Sequence, residues 1–287
     1  MWLKYLLRRL LVFLITLLVV GFLGATLVRL APGFGVDARQ LDSRLREESI
    51  ETMRNDALKE RDILRYYARY VSQLARGNLG YSRTLARPVA ELFAERFPIT
   101  FRTVAFGLLG GWALALTAAA FLAFSQSMIV DLVFSGVSGL FLSLPSAIVA
   151  LFFLFSGGPV AAAVALVVFP KVFLYTRNLL IEGYAKPHIL AARARGLAEG
   201  RIFYWHVVPS AAPQILALAG VSVSLAFGAS IPIEVVCDSP GLGQLAWQAA
   251  LGRDLPLLVA LTLVVTAVTL LANAASDLVI EAAETAR

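Results

Sequence analysis

Five long stretches without a charged residue or a histidine constrain this chain more than any other feature. They cover residues 10–28, 104–130, 132–170, 207–233 and 255–276, and the shortest contains 19 residues. A helix that crosses a membrane needs about 20 mostly apolar residues. Buried helices of a soluble domain are the alternative, and uncharged runs of this length disfavour them. The sequence therefore predicts an all-α polytopic membrane protein.

The longest stretch, 132–170, is too long for one membrane span. At about 1.5 Å per residue, its 39 residues would form a helix about 58 Å long, almost twice the hydrocarbon thickness of a bilayer. The segment 156–159, which reads Ser-Gly-Gly-Pro, is the natural place for a break. A break there predicts six transmembrane helices.

The composition excludes several functional classes. Hydrophobic residues make up 59% of the chain and charged residues 15%, whereas soluble domains have about 45–50% and about 25%. One cysteine, Cys237, excludes an intrachain disulfide, and two histidines leave little for a metal site. None of the four lysines follows a glycine, which excludes a nucleotide-hydrolysing P-loop. We expect no catalytic residue and no bound metal.

The distribution of charge predicts the orientation in the membrane. Lys4, Arg8 and Arg9 precede the first span without an acid, and residues 171–201 contain six basic and two acidic residues. Basic residues concentrate on the cytoplasmic side, and this also explains the net charge of +6 without a nucleic acid partner. We therefore predict cytoplasmic termini and three parts: the N-terminus and first span (1–30), an external helical segment (31–102) and a five-helix core (103–287).

Two further patterns concern local structure. Residues 42–74 lack Gly and Pro and carry apolar residues at helical spacing from Ile63 to Leu74, and a second short helix is predicted at 88–97. The pairs Gly107 with Gly111 and Gly136 with Gly139 have the spacing that lets membrane helices approach closely.

A predicted cytoplasmic loop, 181–209, carries the most informative motif. Residues 191–195 favour a helix, Gly196 can adopt the positive φ that ends one, and a second helix is expected after it. Leu197 and residues 202–205 form an apolar surface too large for a solvated linker. We expect this surface to be covered.

This loop resembles the EAA loop of the inner-membrane permeases of bacterial ABC importers, in the branch that handles dipeptides, oligopeptides and nickel. The pattern T-A-R-A-K-G-L followed by H-x-x-P is present here as A-A-R-A-R-G-L at 191–197 and as His206 with Pro209. Further similar segments occur in the same order. These are G-N-L-G-Y-S at 77–82, R-P-V at 87–89, R-F-P-I-T at 96–100, E-V-V-C-D-S-P-G-L-G at 234–243, R-D-L-P at 253–256, and Asn273 with Asp277.

The resemblance implies a permease subunit of a bacterial ATP-driven importer in the inner membrane. Such a subunit forms half of a translocation pathway with a second permease subunit. Two cytoplasmic ATPase subunits bind the ATP, so this chain needs no cofactor, and an external solute-binding protein delivers a peptide or related solute. The implied ATPase-docking residues are Ala192, Arg193, Ala194, Arg195, Gly196, Leu197, Ile202, His206 and Pro209.

A second candidate region lies at the outer end of the fifth span. Its residues could form a gate or contact the solute, or could equally brace the P-G-L-G turn. They are Glu234, Asp238, Pro240, Gly241, Gly243, Arg253 and Asp254. Lys171 is a further ionisable residue beside a span, and it could be functional or could extend to the cytoplasmic interface.

Two other functions stay open on the sequence alone. An ion-coupled secondary transporter or channel would need ionisable groups inside the spans, and these are scarce. A purely structural membrane scaffold is compatible with the composition.

Overall fold

The structure is a computed structural model that describes residues 2–30, 63–125 and 127–285, and it is almost entirely helical. Its elements follow in the order α1 (Trp2–Leu30), α2 (Ile63–Leu74), β1 (Tyr81–Ser82), β2 (Arg87–Pro88), α3 (Val89–Ser125), α4 (Met128–Ser143), α5 (Ser146–Ser156), α6 (Val160–Tyr184), α7 (Pro187–Ala194), α8 (Glu199–Ile202), a π-helical turn (Phe203–Val207), α9 (Val208–Val236), α10 (Leu242–Leu251) and α11 (Leu255–Thr285). The predicted helices at 42–62 lie outside the described residues.

The described helices confirm the predicted polytopic membrane fold. Five helical segments are long and apolar enough to cross a membrane: 10–27, 89–125, 160–184, 199–236 and 255–281. Helices α4 and α5 meet at a bend of 99° and count as a sixth span when taken together. We call this bent pair the broken span.

The longest uncharged stretch contains two breaks, and the sequence predicted only one of them. The predicted break at 156–159 is confirmed, because α5 ends at Ser156 and Gly157 has a φ of 67°. The additional break separates α4 from α5, where Leu144 is extended with a ψ of 128° and Pro145 precedes the first residue of α5. A residue that precedes proline avoids the helical region, which explains this bend.

A separate short helix at 88–97 was predicted wrongly. Helix α3 starts at Val89 and continues through Pro98 to Ser125. Proline removes one backbone donor and disfavours a helix interior. Here the apolar positions continue at helical spacing on both sides of Pro98, with Phe93 and Val104 buried, so burial keeps the helix continuous.

The described residues within 1–97 and 245–267 form one compact unit. Its core contains α1, α2 and α11, with Tyr67 and Tyr70 of α2 buried among Ala25, Leu255 and Leu263. Of the predicted apolar face, Tyr67, Val71 and Leu74 pack inside this unit, whereas Leu64 is 70% exposed. The hydroxyl of Tyr67 donates a hydrogen bond of 2.7 Å to the carbonyl of Leu18.

The described residues within 98–244 and 268–287 form the second compact unit, and α6 is at its centre. Ten residues of α6 are buried, including Val164, Val168 and Phe173. Gly107 and Gly111 of α3 let that helix approach α6, as predicted, because a Cβ on Gly107 would lie 2.6 Å from the Cβ of Val164. Gly136 and Gly139 have no such neighbour within 4 Å in the described part of the chain.

These glycines allow a matched test of packing. Replacing Gly107 with Ala should force α3 away from Val164 and lower the free energy of unfolding by about 1–3 kcal/mol. Gly136→Ala is the control, because it adds the same methyl group to a helix where space is open. The measurement is the apparent Tm of each purified variant in detergent. An equal decrease in both variants would contradict the packing role of Gly107.

Candidate functional site

The loop at 181–209 folds as a helix, a glycine break and a second helix, as predicted. Helix α7 ends where Gly196 adopts a φ of 77°. The amide of Gly196 donates to the carbonyl of Arg193 (2.9 Å), and the amide of Leu197 donates to the carbonyl of Ala192 (3.3 Å). This pair of bonds is a Schellman motif, which satisfies the last carbonyls of a helix and favours glycine at the left-handed position.

Arg193 connects three elements of this loop. Its Nε donates to Oε1 of Glu199 at 2.7 Å and its Nη2 to Oε2 at 3.2 Å. Its guanidinium also lies 5.8 Å from the centre of the Tyr184 ring at the end of α6. The hydrogen bonds that Arg193 donates to Glu199 raise the pKa of Arg193 above its ordinary value. Arg193, which was predicted as a docking residue, therefore also connects α6, α7 and α8 within the chain.

The apolar surface predicted for residues 202–205 is divided between the two sides of the loop. Ile202 is fully buried within the chain, and Phe203 packs against Phe124 with ring centres 4.9 Å apart. Tyr204 and Trp205 are 65% and 74% exposed. The expectation that the whole cluster faces outward is corrected, because Ile202, at the end of α8, and Phe203, at the start of the π-helical turn, are both buried within the chain.

The other predicted docking residues differ in exposure. Ala192 is buried together with Ile202, so neither contributes to the outer surface in this structure. Residues 194–196 are exposed at the end of α7, and Leu197 and His206 are half-buried. Pro209 lies in the first turn of α9. The exposed residues of the loop include Leu190, Arg193, Ala194, Arg195, Gly196, Tyr204 and Trp205.

Glu234 braces the turn that follows α9. Its carboxylate is completely buried, and Oε2 accepts a 2.6 Å hydrogen bond from the amide of Gly243. A Cβ on Gly241 would overlap this carboxylate, so the close contact requires glycine there. The neighbouring amide of Leu242 donates to Oγ1 of Thr100 at 2.7 Å. Glu234 was predicted either to form a gate or contact the solute, or to stabilise the P-G-L-G turn. The structure supports stabilisation of the turn.

Asp238 and Pro240 lie on the exposed side of the same turn. Asp238 has a φ of 49° and accepts a 2.6 Å hydrogen bond from Nε2 of Gln244. Few residues other than glycine and asparagine or aspartate adopt this backbone conformation readily. The side-chain bond adds a second connection across the turn that Glu234 holds from inside.

Asp254 has a comparable structural role in the first unit. Its Oδ1 accepts from the amide of Leu257 in the first turn of α11 (3.2 Å), which makes it the N-cap of that helix. Its Oδ2 accepts from Oγ of Ser82 (2.6 Å) and from the amide of Thr84 (2.9 Å) in the β1–β2 hairpin. Asp254 is buried, whereas Arg253 before it is exposed with a φ of 51°.

An ion pair between Asp131 and Arg177 was missed by the sequence reading. Nε of Arg177 donates to Oδ1 of Asp131 at 2.6 Å, and Nη2 donates to Oδ2. Both side chains are half-buried. The sequence held a signal, because Asp131 is the only charged residue between Arg102 and Lys171. Ionisable residues in such surroundings are commonly functional.

A cavity of about 410 Å³ separates this ion pair from the loop. Its lining comes from the end of α3, the start of α4, the last turns of α6, and Arg193 of α7. Lys171, the other ionisable residue considered for this helix, is exposed. Within residues 2–30, 63–125 and 127–285, no cluster of three His, Cys, Asp or Glu side chains could hold a metal ion.

Comparison with known proteins identifies related chains. The family model described as "Binding-protein-dependent transport system inner membrane component" matches residues 88–286, well over half of the chain. The oligopeptide transport system permease protein OppB of Escherichia coli is 30% identical, with 92% of both chains covered. The glutathione transport system permease protein GsiC of Pectobacterium atrosepticum is 27% identical, with 96% of both chains covered.

A solved structure supports the fold. A chain of the MetNI methionine ABC transporter, in an inward facing conformation, matches with a TM-score of 0.55 and 20% sequence identity. The match covers 68% of the present chain and 94% of the MetNI chain.

The brace at Glu234 leads to a prediction about stability. Glu234→Ala should leave the amide of Gly243 without a partner and open a cavity, which lowers the free energy of unfolding by roughly 2–4 kcal/mol. Asp238→Asn is the control, because it changes an exposed carboxylate of the same turn and keeps a side chain that tolerates a positive φ. Thermal unfolding in detergent compares them. A Tm of Glu234→Ala equal to that of the control would exclude the brace.

Proposed function

The chain belongs to the family of binding-protein-dependent transport system inner membrane components, and from this premise we propose that it forms half of a translocation pathway for peptides or a related solute. It is a permease subunit and a multi-pass inner-membrane protein. Peptide as the solute is supported by the names of the relatives, which describe oligopeptide, dipeptide and glutathione permeases. The second half of the pathway would be another permease subunit of similar type.

The observation that carries this proposal is the conformation of the loop at 181–209. Its first helix ends in a Schellman motif at Gly196, and Leu190, Tyr204 and Trp205 are exposed on its surface. Exposed aromatic residues beside an arginine are typical of the residues that contribute most to protein–protein binding. We propose that this surface docks an ATPase subunit, with Arg195 at its edge.

ATP hydrolysis is assigned to separate subunits. The chain has no glycine followed by lysine, so it lacks the lysine that a P-loop places on the phosphates. We propose two cytoplasmic ATPase subunits, one for each permease subunit, and an external binding protein that delivers the solute. The basic residues at 4–9 and 171–201 support cytoplasmic termini and a cytoplasmic docking loop.

An ion-coupled transporter receives less support. Such a protein would use an ionisable group in its spans to bind the coupling ion. In this chain Asp131 is paired with Arg177, and Glu234 binds the amide of Gly243 within its own turn. Asp131 therefore has a structural partner at both oxygens, and Glu234 has one at Oε2.

Reconstitution in liposomes tests the proposed function and orientation. We expect uptake of a fluorescent tripeptide only when both permease subunits, the ATPase subunits and the binding protein are present. ATP should be needed on the side that exposes residue 198, and the binding protein on the opposite side. Uptake by the permease chains alone, driven by a proton or sodium gradient, would contradict the proposal.

The docking role of the loop is tested at Gly196. Valine at a φ of 77° introduces a strain of about 1–3 kcal/mol and should displace the end of α7. Gly196→Val should therefore reduce both the copurification of ATPase subunits and ATP hydrolysis, at unchanged membrane abundance. The control is Gly200→Ala in α8, where φ is negative and the added Cβ has no neighbour within 4 Å among the described residues. Normal assembly and hydrolysis in Gly196→Val would refute the docking assignment.

A further inference from the structure

The ion pair between Asp131 and Arg177 connects the broken span to the helix that leads into the docking loop. Asp131 lies in the first turn of α4, and Arg177 lies two turns before the end of α6. Two nitrogens of the guanidinium contact the two carboxylate oxygens, and Nη1 also donates to Oδ1 of Asn178 at 2.8 Å. A contact through two parallel hydrogen bonds fixes orientation as well as distance.

Helices α4 and α6 run antiparallel at this contact. Three residues further along α4, the ring of Phe134 lies 6.2 Å from the ring of Phe173, which precedes Arg177 by one turn of α6. The ion pair and the ring contact therefore hold the same two helices at successive turns. A movement of the end of α6 would be transmitted to the start of α4 through both contacts.

Near its start, helix α4 also contacts α3, where the ring of Phe134 lies 6.2 Å from the ring of Phe121. Met128, Ile129 and Leu132 are exposed on its other side. At the far end, the bend at Leu144 and Pro145 separates α4 from α5. Such a break between two helices can absorb a change of angle. A helix with a break at one end and an ion pair at the other is suited to move with the element to which it is paired.

The docking loop lies on the other side of the same cavity. From Arg177, α6 continues for about 10 Å to Tyr184, whose ring contacts the guanidinium of Arg193. Arg177, Tyr184 and Arg193 all line the cavity of about 410 Å³. Because this space is not filled by side chains, α7 can shift relative to α4 without a clash between them.

We propose that Asp131 and Arg177 are positioning residues that transmit the movement of the docking loop to the broken span. This proposal rests on the proposed docking of ATPase subunits to α7 and α8. The pair itself contacts neither ATP nor solute. It acts by keeping the start of α4 attached to the end of α6 when the loop moves.

The test separates transmission from assembly. Asp131→Asn keeps the size of the side chain and removes its charge, and Arg177→Gln removes the charge and leaves a shorter polar side chain. In the reconstituted importer, we expect both variants to bind ATPase subunits and hydrolyse ATP at close to normal rates. The amount of peptide transported per ATP hydrolysed should fall at least about fivefold, as expected when a coupling between two sites is lost. The exchanged pair, Asp131→Arg with Arg177→Asp, should recover most of this ratio.

A second ion pair of the chain provides the control. Arg87 contacts Glu95 at 2.5 Å on an exposed surface of the first unit. Arg87→Gln removes the same kind of contact and should leave the transport per ATP unchanged. A decrease there equal to that of Arg177→Gln would show that any lost ion pair has this effect, and would overturn the proposal.

The remaining outcomes also decide the question. Normal transport per ATP in both single variants would overturn the proposed transmission and leave docking intact. Both single variants could instead lose the assembled complex, seen as reduced membrane abundance or a lower Tm. This result would assign the ion pair to folding and would also overturn the proposed transmission. Failure of the unaltered chain to bind ATPase subunits would instead refute the proposed function.

Discussion

The structure depends on the need to satisfy every backbone N–H and C=O group without water inside a bilayer. Helices meet this need along their length, but every break exposes donors and acceptors that require other partners. In this chain the partners at the turns are buried acids and caps. Glu234 binds the turn after α9, and Asp254 caps α11 and holds the hairpin. Glu234 and Asp254 are thus explained by the turns they stabilise.

Close packing between the helices depends on small residues for a related reason. Lipid is as apolar as leucine, so contact between helices must come from fit and hydrogen bonds. Gly107 and Gly111 approach α6, and Gly220 of α9 approaches Asn273 of α11. The side chain of Trp112 adds a 2.9 Å hydrogen bond to Ser222. Asn273, which the sequence associated with the family pattern, therefore lies at a helix contact.

Sequence patterns predicted the features whose signals are local. The spans follow from uncharged runs, and the helix end at Gly196 follows from glycine's tolerance of a positive φ. The burial of Phe203 could not be predicted in this way, because it depends on Phe124 and Tyr184, which are distant in the chain. The bend at Pro145 had a local signal, which is the proline itself. It was not recognised because it lies inside the long uncharged stretch. The partner of Asp131 could be identified only from the fold, because 46 positions separate Asp131 from Arg177.

The internal bonds of Arg193 have a consequence for the thermodynamics of assembly. A flexible loop loses conformational entropy when it binds, at a cost of about 0.5–1.5 kcal/mol for each long side chain that becomes ordered. In this loop the Schellman motif and the contacts of Arg193 with Glu199 and Tyr184 already order α7 and α8 in the isolated chain. The loop is preorganised, so most of the free energy released by contact with a partner remains available for affinity.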